Sequence, residues 1–519
     1  MRKIHKYLGL ILFPIIFLLV CSGVVLNHRK QFSRFEVTRS ILPNSYRYSN
    51  WNYGFFKGGL SLDSNNLLLY GTEGIWISNR DSIIEEFNNG IDRSADQKKI
   101  HRIIRTSNNQ IFAISSYHLY HLEKDKMRWT KIKLPETEDL FVDIESKADT
   151  IVILSRSNYY VGVTNNKQQE IVFTTYNLSH SPKHEIKHSL FKFIWDLHSG
   201  ALWGMSGKII VDIIGVLFIF VSFTGFMIWL YKKIIRSESI KRDSANKRKR
   251  FLWYHKNHDR WGYWLLIPFI LITITGIFLR PPFLLFIANK SVESIPGISM
   301  QPKNEWKDML RAIRYDINNK SWLIYTSDGM YEFKDLETSE ILSKPNTPPI
   351  SVMGLNVMQQ INENEWIIGS FSGLYIWNKT LETYYDALEN KNTEIPNNSL
   401  PFSNNQISGL IFYNKEQTVL FDYNDGAKTI EPNRSFLKMP KHYQTNPISL
   451  WNLSLEIHTG RIVTCLGIFT LLIPCILGII IMIILISGLK ISNLKCFIRH
   501  ITSLLILVFT TDYYSIFYR

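Results

Sequence analysis

The sequence predicts an α+β membrane protein that combines a four-helix transmembrane bundle, built by tandem duplication, with an extracytoplasmic all-β, propeller-like domain. Four apolar runs each approach the length needed to cross a ~30 Å hydrocarbon layer. They are separated by two long polar stretches with a repeated strand–turn–strand pattern. The four runs lie at about 7–27, 206–231, 261–280 and 462–488 of the 519 residues.

The duplication is visible where each apolar run begins. From His5 the chain reads HKYLGLILFPIIFLLVCSGVVL, and from His258 it reads HDRWGYWLLIPFILITITGIFL. Both copies have a His, a Gly four residues later, one Pro, and then a small residue followed by Gly. The other two runs are opened by LHSG at His198 and by IHTG at His458. Each of the four predicted helices is therefore preceded by one His.

The placement of basic residues predicts the orientation of the helices. The chain has a formal net charge of +15, and a dense basic cluster lies between Lys232 and Arg260. The positive-inside rule puts this linker, the N-terminus and the region after Lys490 in the cytoplasm. The polar stretches then lie in the periplasm. Because the basic linker joins two spans, we expect a lipid bilayer and no nucleic acid as its partner.

The predicted segments alternate between membrane and periplasm, and the sequence leaves open whether residues 501–518 also span the membrane. In order they are helix 1 (1–30), the first β-repeat segment (31–190), helix 2 (191–232), the basic cytoplasmic linker (233–257), helix 3 (258–283), the second β-repeat segment (284–450), helix 4 (451–490) and an apolar tail (491–519).

The two periplasmic segments are predicted to be built from hairpins. Each hairpin is an apolar strand, a short turn and an alternating aromatic strand. The hairpin starts recur every 40–45 residues or so, a spacing typical of propeller blades. Two models remain open: one propeller completed by both segments, or two separate β-domains. The hairpins are expected at 67–79, 111–124, 151–166, 322–335, 366–379 and about 410–424.

The four histidines are the candidate functional residues. Interfacial placement alone would explain one His at a helix end, but four in duplicated contexts favour a cofactor. By the predicted topology, His5 and His258 form an inner pair and His198 and His458 form an outer pair. Paired imidazoles in an apolar bundle are the axial ligands that a b-type haem iron accepts. The sequence therefore predicts two haem b groups.

Four glycines are predicted to lie level with these pairs. Gly23 and Gly276 each follow their His by 18 residues, about 27 Å along a helix, which places them near the outer pair. Gly225 and Gly488 return to the level of the inner pair. One explanation for these glycines is that a flat porphyrin needs a helix surface without side chains. The alternative explanation is close packing of the helices against each other.

Other histidines give weaker signals. His28 has no counterpart in the second half, where the aligned residue is Pro281. His255 could replace His258 but breaks the H-x-x-x-G register. The spacing of His180, His184 and His188 would suit a metal, but Pro182 interrupts that helix and favours a solvated segment.

The H-x-x-x-G motif, the apolar run ending in SG or TG and the LHSG motif resemble the PepSY-associated transmembrane helix family. Members of this family include inner-membrane reductases of ferric siderophores, in which histidines hold two haems. The resemblance implies His5 and His258 near the inner haem and His198 and His458 near the outer one. It does not extend to the periplasmic segments. The part of the chain that it covers is roughly 5–30, 195–232, 255–283 and 455–490.

The expected function is that of an inner-membrane b-haem oxidoreductase. Electrons would pass from an unknown cytoplasmic or quinone donor to an extracytoplasmic acceptor, with ferric iron in a siderophore chelate as the leading candidate. The alternative is a non-enzymatic module, in which the β-domain binds a partner and the helices anchor it or transmit a signal. A transporter is disfavoured because the spans lack broken central helices and midplane charges.

Overall fold

The computed structural model of this chain describes residues 1–79, 84–164, 171–178, 188–237, 244–288, 290–292, 304, 306–327, 329–336, 341–344, 346–351, 354–388, 405–414, 417–431 and 434–491. The chain divides into two compact units. The helical unit comprises Met1–Phe32, Lys187–Met300 and Trp451–Arg519, and the β-rich unit comprises Ser33–Ile186 and Gln301–Leu450. The β-rich unit thus draws on both halves of the duplication. The predicted tail at 491–519 lies, from residue 492 onward, outside the described residues.

The described helices begin and end close to the apolar runs. They are α1 (Arg2–Asn27), α2 (Arg29–Phe32), α3 (Leu190–Ser199), α4 (Gly204–Ser237), α5 (Ser244–Trp264), α6 (Leu266–Phe278), α7 (Leu450–His458) and α8 (Ile473–Ile491), with a 3₁₀ segment at Thr464–Leu472 before α8.

Three of the described helical segments are long and apolar enough to cross a membrane: Arg2–Asn27, Ala201–Arg236 and Thr464–Lys490. A fourth crossing is possible if α5 and α6, which are bent by 61° at their junction, count as one span. The membrane character of the chain is therefore confirmed, with three or four apolar helices, while the four-helix bundle stays a prediction. One hydrophobic cluster contains residues from α1, α4, α6 and α8, namely Leu12, Ile16, Val221, Leu266, Phe269, Ile481 and Leu485.

The bend between α5 and α6 lies within the predicted third helix. Helix α5 ends at Trp264 and α6 begins at Leu266, with Leu265 between them. Pro268 lies three residues after Leu265. A proline ring clashes with the carbonyl group four residues earlier, which here belongs to Trp264, and proline has no N–H to donate to it. The same proline that marks the duplication therefore divides this helix in the second copy.

Fourteen strands lie in the first half of the chain. They are β1 (Glu36–Val37), β2 (Gly58–Ser61), β3 (Leu67–Gly71), β4 (Gly74–Ser78), β5 (Ile84–Glu86), β6 (Ile100–Arg105), β7 (Ile111–Ser115), β8 (Leu119–Glu123), β9 (Arg128–Ile132), β10 (Phe141–Lys147), β11 (Thr150–Ser155), β12 (Tyr159–Val163), β13 (Phe173–Tyr176) and β14 (His188–Ser189) among the described residues.

The described part of the second half repeats this arrangement. Its strands are β15 (Ser291–Val292), β16 (Leu310–Asp316), β17 (Ser321–Thr326), β18 (Met330–Phe333), β19 (Leu342–Lys344), β20 (Leu355–Gln360), β21 (Glu365–Ser370), β22 (Gly373–Asn378), β23 (Thr383–Asp386), β24 (Ile407–Asn414), β25 (Gln417–Asp422), β26 (Gly426–Thr429) and β27 (Ile448–Ser449).

Most strands form small antiparallel sheets of consecutive strands, which confirms the mixed helix-and-sheet fold. Sheets 1 to 5 have four strands each (β2–β5, β6–β9, β10–β13, β16–β19 and β20–β23), and sheet 6 has three (β24–β26). Two short ribbons pair β1 with β27 and β14 with β15. Each of the six expected hairpins is found as two neighbouring strands of one sheet.

The hydrophobic core of the β-rich unit lies between successive sheets. Strand β3 shows how this happens: Leu67 and Leu69 pack toward sheet 6, while Leu68 and Tyr70 pack toward sheet 2. Because side chains alternate along a strand, an uninterrupted apolar run can bury both faces. Corresponding clusters join sheets 2 and 3, 3 and 4, 4 and 5, and 5 and 6. A propeller that closes on itself stays a prediction.

Candidate functional site

The four predicted histidines come together as two pairs within the helical unit. The inner pair is formed by His5 on α1 and His258 on α5, whose ring centroids lie 6.0 Å apart at an interplanar angle of 74°. The outer pair is formed by His198 near the end of α3 and His458, the last residue of α7. Their centroids lie 6.2 Å apart at 63°. The duplication therefore places like histidines opposite each other, as the sequence indicates.

All four imidazoles are held in the same way. Each Nδ1 lies within hydrogen-bond distance of a backbone carbonyl and of a Ser or Thr hydroxyl on a neighbouring apolar helix. The partners are Ile484 O (3.1 Å) and Ser487 Oγ (3.2 Å) for His5, Val221 O (2.9 Å) and Thr224 Oγ1 (3.2 Å) for His258, Ile272 O (3.1 Å) and Thr275 Oγ1 (3.0 Å) for His198, and Leu19 O (3.0 Å) and Ser22 Oγ (3.1 Å) for His458.

This contact fixes the tautomer of each ring. A carbonyl oxygen can only accept, so each Nδ1 carries the hydrogen and donates it. In the neutral form of each ring, the lone pair is then on Nε2. Metal-binding histidines are oriented by a hydrogen bond of this kind from the other ring nitrogen.

Sequence reasoning identified the Ser–Gly and Thr–Gly pairs but not what their hydroxyls do. Thr224 donates to Val221 O at 2.7 Å, and the same carbonyl accepts from His258. The hydroxyl and the carbonyl thus form one acceptor site on the helix surface. The signal was present in the sequence, because a small hydroxyl residue precedes the glycine in all four copies.

The four glycines lie at the predicted depths, and each faces the imidazole of a histidine. A Cβ added at Gly225 would lie 3.0 Å from Cε1 of His258, and one at Gly488 would lie 3.2 Å from Cε1 of His5. For the outer pair, the distances are 3.0 Å between Gly276 and His198 and 3.4 Å between Gly23 and His458. The expectation was an open surface for a porphyrin. The structure gives a more direct reason, since each glycine clears space for the ring itself.

The separation within each pair fits a shared metal. When two imidazole nitrogens each lie ~2 Å from one metal, with each ring centre ~1 Å behind its nitrogen, the centroids are ~6 Å apart. The observed 6.0 Å and 6.2 Å match this value. No group of three or more His, Cys, Asp or Glu side chains in the described residues is placed to hold a metal ion. Each pair offers two imidazoles, a donor set compatible with the iron of a b-type haem.

A buried polar network that the sequence analysis undervalued lies beside the outer pair. Asp212, on the apolar helix α4, contacts His28 Nε2 at 2.5 Å and accepts from Asn27 Nδ2 at 3.1 Å. Asn27 also donates to the backbone carbonyl of Ser199, next to His198, at 3.2 Å. Asp212 is the one acidic residue in its apolar run. It lies near the outer end of this run, so it is not one of the midplane charges that the sequence analysis found to be missing.

An aromatic and basic cleft lies beside the inner pair. Its volume is about 150 Å³, and it is lined by Tyr231, Arg250, Trp253 and Tyr254. On α5, Arg250, Tyr254 and His258 recur at intervals of four residues, so they follow one face of the helix. No equivalent cleft was expected from the sequence.

The remaining histidines do not join these pairs. His255 forms an ion pair with Asp259 at 2.9 Å, and both side chains are more than half exposed. It is therefore a surface residue and not an alternative to His258. His180 and His184 lie outside the described residues, as does the side chain of His188. Of the arginines near the outer helix ends, Arg29 lies over the Trp451 ring at 4.3 Å, and Arg461 Nη2 contacts Glu456 Oε1 at 2.6 Å.

The fold and the site together define an integral membrane protein with duplicated helical histidine pairs and a β-rich unit inserted in two parts. The chain belongs to the PepSY-associated TM region family, whose model matches residues 2–492. No curated protein matches the chain.

Solved structures give only distant similarities. The extracellular domain of the putative one component system BT4673 from B. thetaiotaomicron is 9% identical, with a TM-score of 0.33, and the match covers 76% of this chain and 40% of that one. The extracellular domain of the putative hybrid two component system BT3049 from the same organism is 10% identical, with a TM-score of 0.31, and covers 74% and 39%. The chain thus spans about two fifths of these proteins, and such low scores assign neither fold nor function.

Proposed function

We propose that this protein is an inner-membrane di-haem oxidoreductase that carries electrons across the membrane. His5 and His258 would hold the inner haem b, and His198 and His458 the outer one. The observation that carries this proposal is the fourfold anchoring of Nδ1, which leaves Nε2 as the available ligand atom of each ring, in pairs whose ring centroids are 6.0 and 6.2 Å apart. A bound b-type haem supplies reversible one-electron exchange, and its potential follows from its ligands and its burial.

The residues around each pair keep the imidazoles ready to act as ligands. The carbonyl and hydroxyl partners hold each ring in one orientation, with Nε2 as the ring nitrogen available to a metal, and raise its basicity. Gly225 and Gly276 allow the ring to lie directly against the neighbouring helix. The cluster around Phe269 and Ile481 is apolar and buried. A hydrophobic shell of this kind limits solvent access to a bound metal and so influences its redox potential.

The finer architecture is part of the same proposal. Helices α1, α4, α5–α6 and α8 would form a four-helix bundle, a model supported by the shared hydrophobic cluster. The six sheets would form one propeller, supported by the cluster that joins sheet 6 to sheet 1 through Phe421 and Trp76. With the basic linker in the cytoplasm, this propeller would lie in the periplasm.

The proposed acceptor is ferric iron in a siderophore chelate, on the periplasmic side. Reduction to the ferrous state weakens its hold on hard oxygen ligands and releases the metal. The donor would be a quinol or a cytoplasmic reductant. In the predicted topology, the cleft lined by Tyr254, one helical turn before His258, would face the cytoplasm, where such a donor would approach.

Absorption spectroscopy of the purified full-length chain tests the haem sites. We expect a Soret band, b-type α and β bands after reduction, and two waves in a redox titration. Mixing the reduced protein with a ferric chelate should reoxidise these bands and release ferrous iron. His255→Ala is the matched control and should leave the spectrum unchanged. A protein without a Soret band after expression with ample haem would contradict the proposal and favour an anchored binding module.

Reporter fusions test the membrane topology of the chain, and this test does not depend on haem. Fusions at Ser64 and Asn246 should report opposite compartments, with Asn246 in the cytoplasm. The same compartment for both would contradict the topology and the depth assigned to each pair.

A further inference from the structure

The aromatic and basic cleft beside the inner pair is formed by two helices of the helical unit. Tyr231 comes from α4, and Arg250, Trp253 and Tyr254 come from α5. Its volume of about 150 Å³ is smaller than the ~300–1,000 Å³ of a pocket that encloses a drug-sized ligand. The cleft therefore suits one small head group at its wall and not a whole cofactor.

Ring contacts hold the walls of the cleft together. The rings of Tyr231 and Tyr254 lie 5.5 Å apart at 31°, and those of Trp253 and Tyr254 lie 5.1 Å apart at 84°. Arg250 Nη1 donates to the Tyr231 hydroxyl in a long contact of 3.5 Å. A guanidinium has five N–H donors, so it can hold this contact and also donate to an anion. The two phenol hydroxyls and the indole N–H of the lining are further donors.

The charge around the cleft is strongly positive. The four lining residues include a guanidinium and no carboxylate. Between Lys232 and Arg260, the segment that carries three of these residues, the chain has eleven basic and three acidic residues. One of the three, Asp259, already pairs with His255 at 2.9 Å. Such a field attracts anions to the cleft.

The cleft also lies at one end of a membrane-spanning helix. Tyr231 is five residues before the end of the apolar segment Ala201–Arg236. On α5, Leu252 and Trp253 are 57% and 52% exposed. Aromatic side chains next to basic residues at the end of a span are typical of the membrane–water interface. We therefore expect the cleft at the depth of the lipid head groups, where the abundant anion is phosphate.

We propose that this cleft binds the phosphate of an anionic phospholipid, on the side of the membrane that the basic linker marks as cytoplasmic. Arg250 would donate charge-assisted hydrogen bonds to the phosphate oxygens, supported by the hydroxyls of Tyr231 and Tyr254. Leu252 and Trp253 would contact the apolar part of the same lipid. Basic pockets between membrane helices on the cytoplasmic side are a recognised means of holding anionic head groups.

A quinol head group suits this cleft less well, although an electron donor would approach from the same side. Oxidation of a quinol releases protons. The lining consists of tyrosine, tryptophan and arginine side chains, and none of these takes up a proton at neutral pH. The lipid site depends on no part of the haem proposal, and either one can fail without the other.

Native mass spectrometry of the purified, delipidated full-length protein tests the site. Dioleoyl phosphatidylglycerol is titrated against dioleoyl phosphatidylcholine, which has the same acyl chains and no net charge. We expect saturable binding of phosphatidylglycerol, about tenfold tighter than that of phosphatidylcholine. Equal affinity for the two lipids would overturn the proposal. Displacement of bound phosphatidylglycerol by equimolar inorganic phosphate would also overturn it, because the site would then recognise free phosphate.

Substitutions distinguish a site from general attraction to a basic surface. Arg250→Gln should raise the dissociation constant of phosphatidylglycerol about tenfold, since it removes a charge-assisted hydrogen bond. Arg248→Gln removes the same charge two positions away, from a residue that does not line the cleft, and should leave the affinity unchanged. An equal loss in both variants would show that only the charge of the linker attracts the lipid, and would refute the site.

Circular dichroism reports whether each variant is folded. If Arg250→Gln does not fold, the double variant Tyr231→Phe/Tyr254→Phe decides the question, because it removes both hydroxyl donors and keeps every charge. Its dissociation constant for phosphatidylglycerol should rise several-fold. Unchanged affinity in that folded variant would then refute the site.

Discussion

The inner and outer histidine pairs have nearly the same internal geometry but very different neighbours. Their centroid separations differ by only 0.2 Å, from 6.0 to 6.2 Å, and every Nδ1 has one carbonyl and one hydroxyl partner. The duplicated sequence repeats these elements. The surroundings do not repeat, because they come from residues outside the duplicated motifs.

Around the outer pair the distinctive group is a carboxylate. Asp212 contacts His28 and is linked through Asn27 to the backbone beside His198. Around the inner pair the distinctive groups are aromatic and basic, with Arg250 and Tyr254 on the same helix as His258. The comparison teaches that the duplication specifies the paired histidines, while unique residues specify the electrostatics around each pair. Two haems with different potentials would follow from that difference.

The largest expected effect is the loss of one haem at a time. His198→Ala should remove about half of the haem absorbance, His5→Ala the other half, and the double variant nearly all of it, since each ring supplies one axial ligand. Haem content by the pyridine haemochrome assay measures this. Loss of both haems from either single variant would show that the two sites are not independent.

The next effect comes from filling the space beside an imidazole. Gly225→Leu should displace His258 and lower the inner haem content to below about half, because a Cβ there would already lie 3.0 Å from the ring. Gly276→Leu should do the same at the outer site. Gly9→Leu is the control, since nothing lies within 4 Å of a Cβ at Gly9. Full occupancy in both test variants would contradict the role given to these glycines.

A smaller effect should separate the two sites by charge. Asp212→Asn should raise the midpoint potential of the outer haem by tens of millivolts, where ~59 mV is a tenfold change for one electron. Loss of a nearby negative charge disfavours the oxidised, more positive state. The midpoint potential of the inner haem should not change. Potentiometry with optical detection resolves the potentials of the two haems. An equal shift of both waves would remove the proposed asymmetry.

The smallest effect is expected from removing the Ser or Thr hydroxyl groups that contact Nδ1 of the histidines. Thr224→Val should weaken inner haem binding by less than about tenfold, because the Val221 carbonyl still accepts from His258. Ser22→Ala should have a matching effect at the outer site. Haem transfer to apomyoglobin measures both rates. Complete loss of haem from either variant would mean that the hydroxyl, and not the carbonyl, holds the ring.

Much of the site could be predicted from the sequence because helices translate spacing into depth. The 18 residues from His5 to Gly23 correctly place that glycine beside the outer pair. The hairpin period similarly predicts the strands of all six sheets, since side-chain alternation and turn residues are local signals. Local signals could not show that Pro268 divides the third helix while Pro14 remains inside α1.

The sequence by itself determined the membrane helices, the strand repeats and the identity of the four histidines, because periodicity and duplication are properties of neighbouring residues. Only the tertiary structure decided which atoms meet. Ser22 lies 436 positions before His458, and His28 lies 184 before Asp212, so no local pattern could pair them. The same holds for the ion pair of Arg314 with Asp143, whose partners lie 171 positions apart. Buried charges are governed by their neighbours in space, which only the packing of the sheets decides.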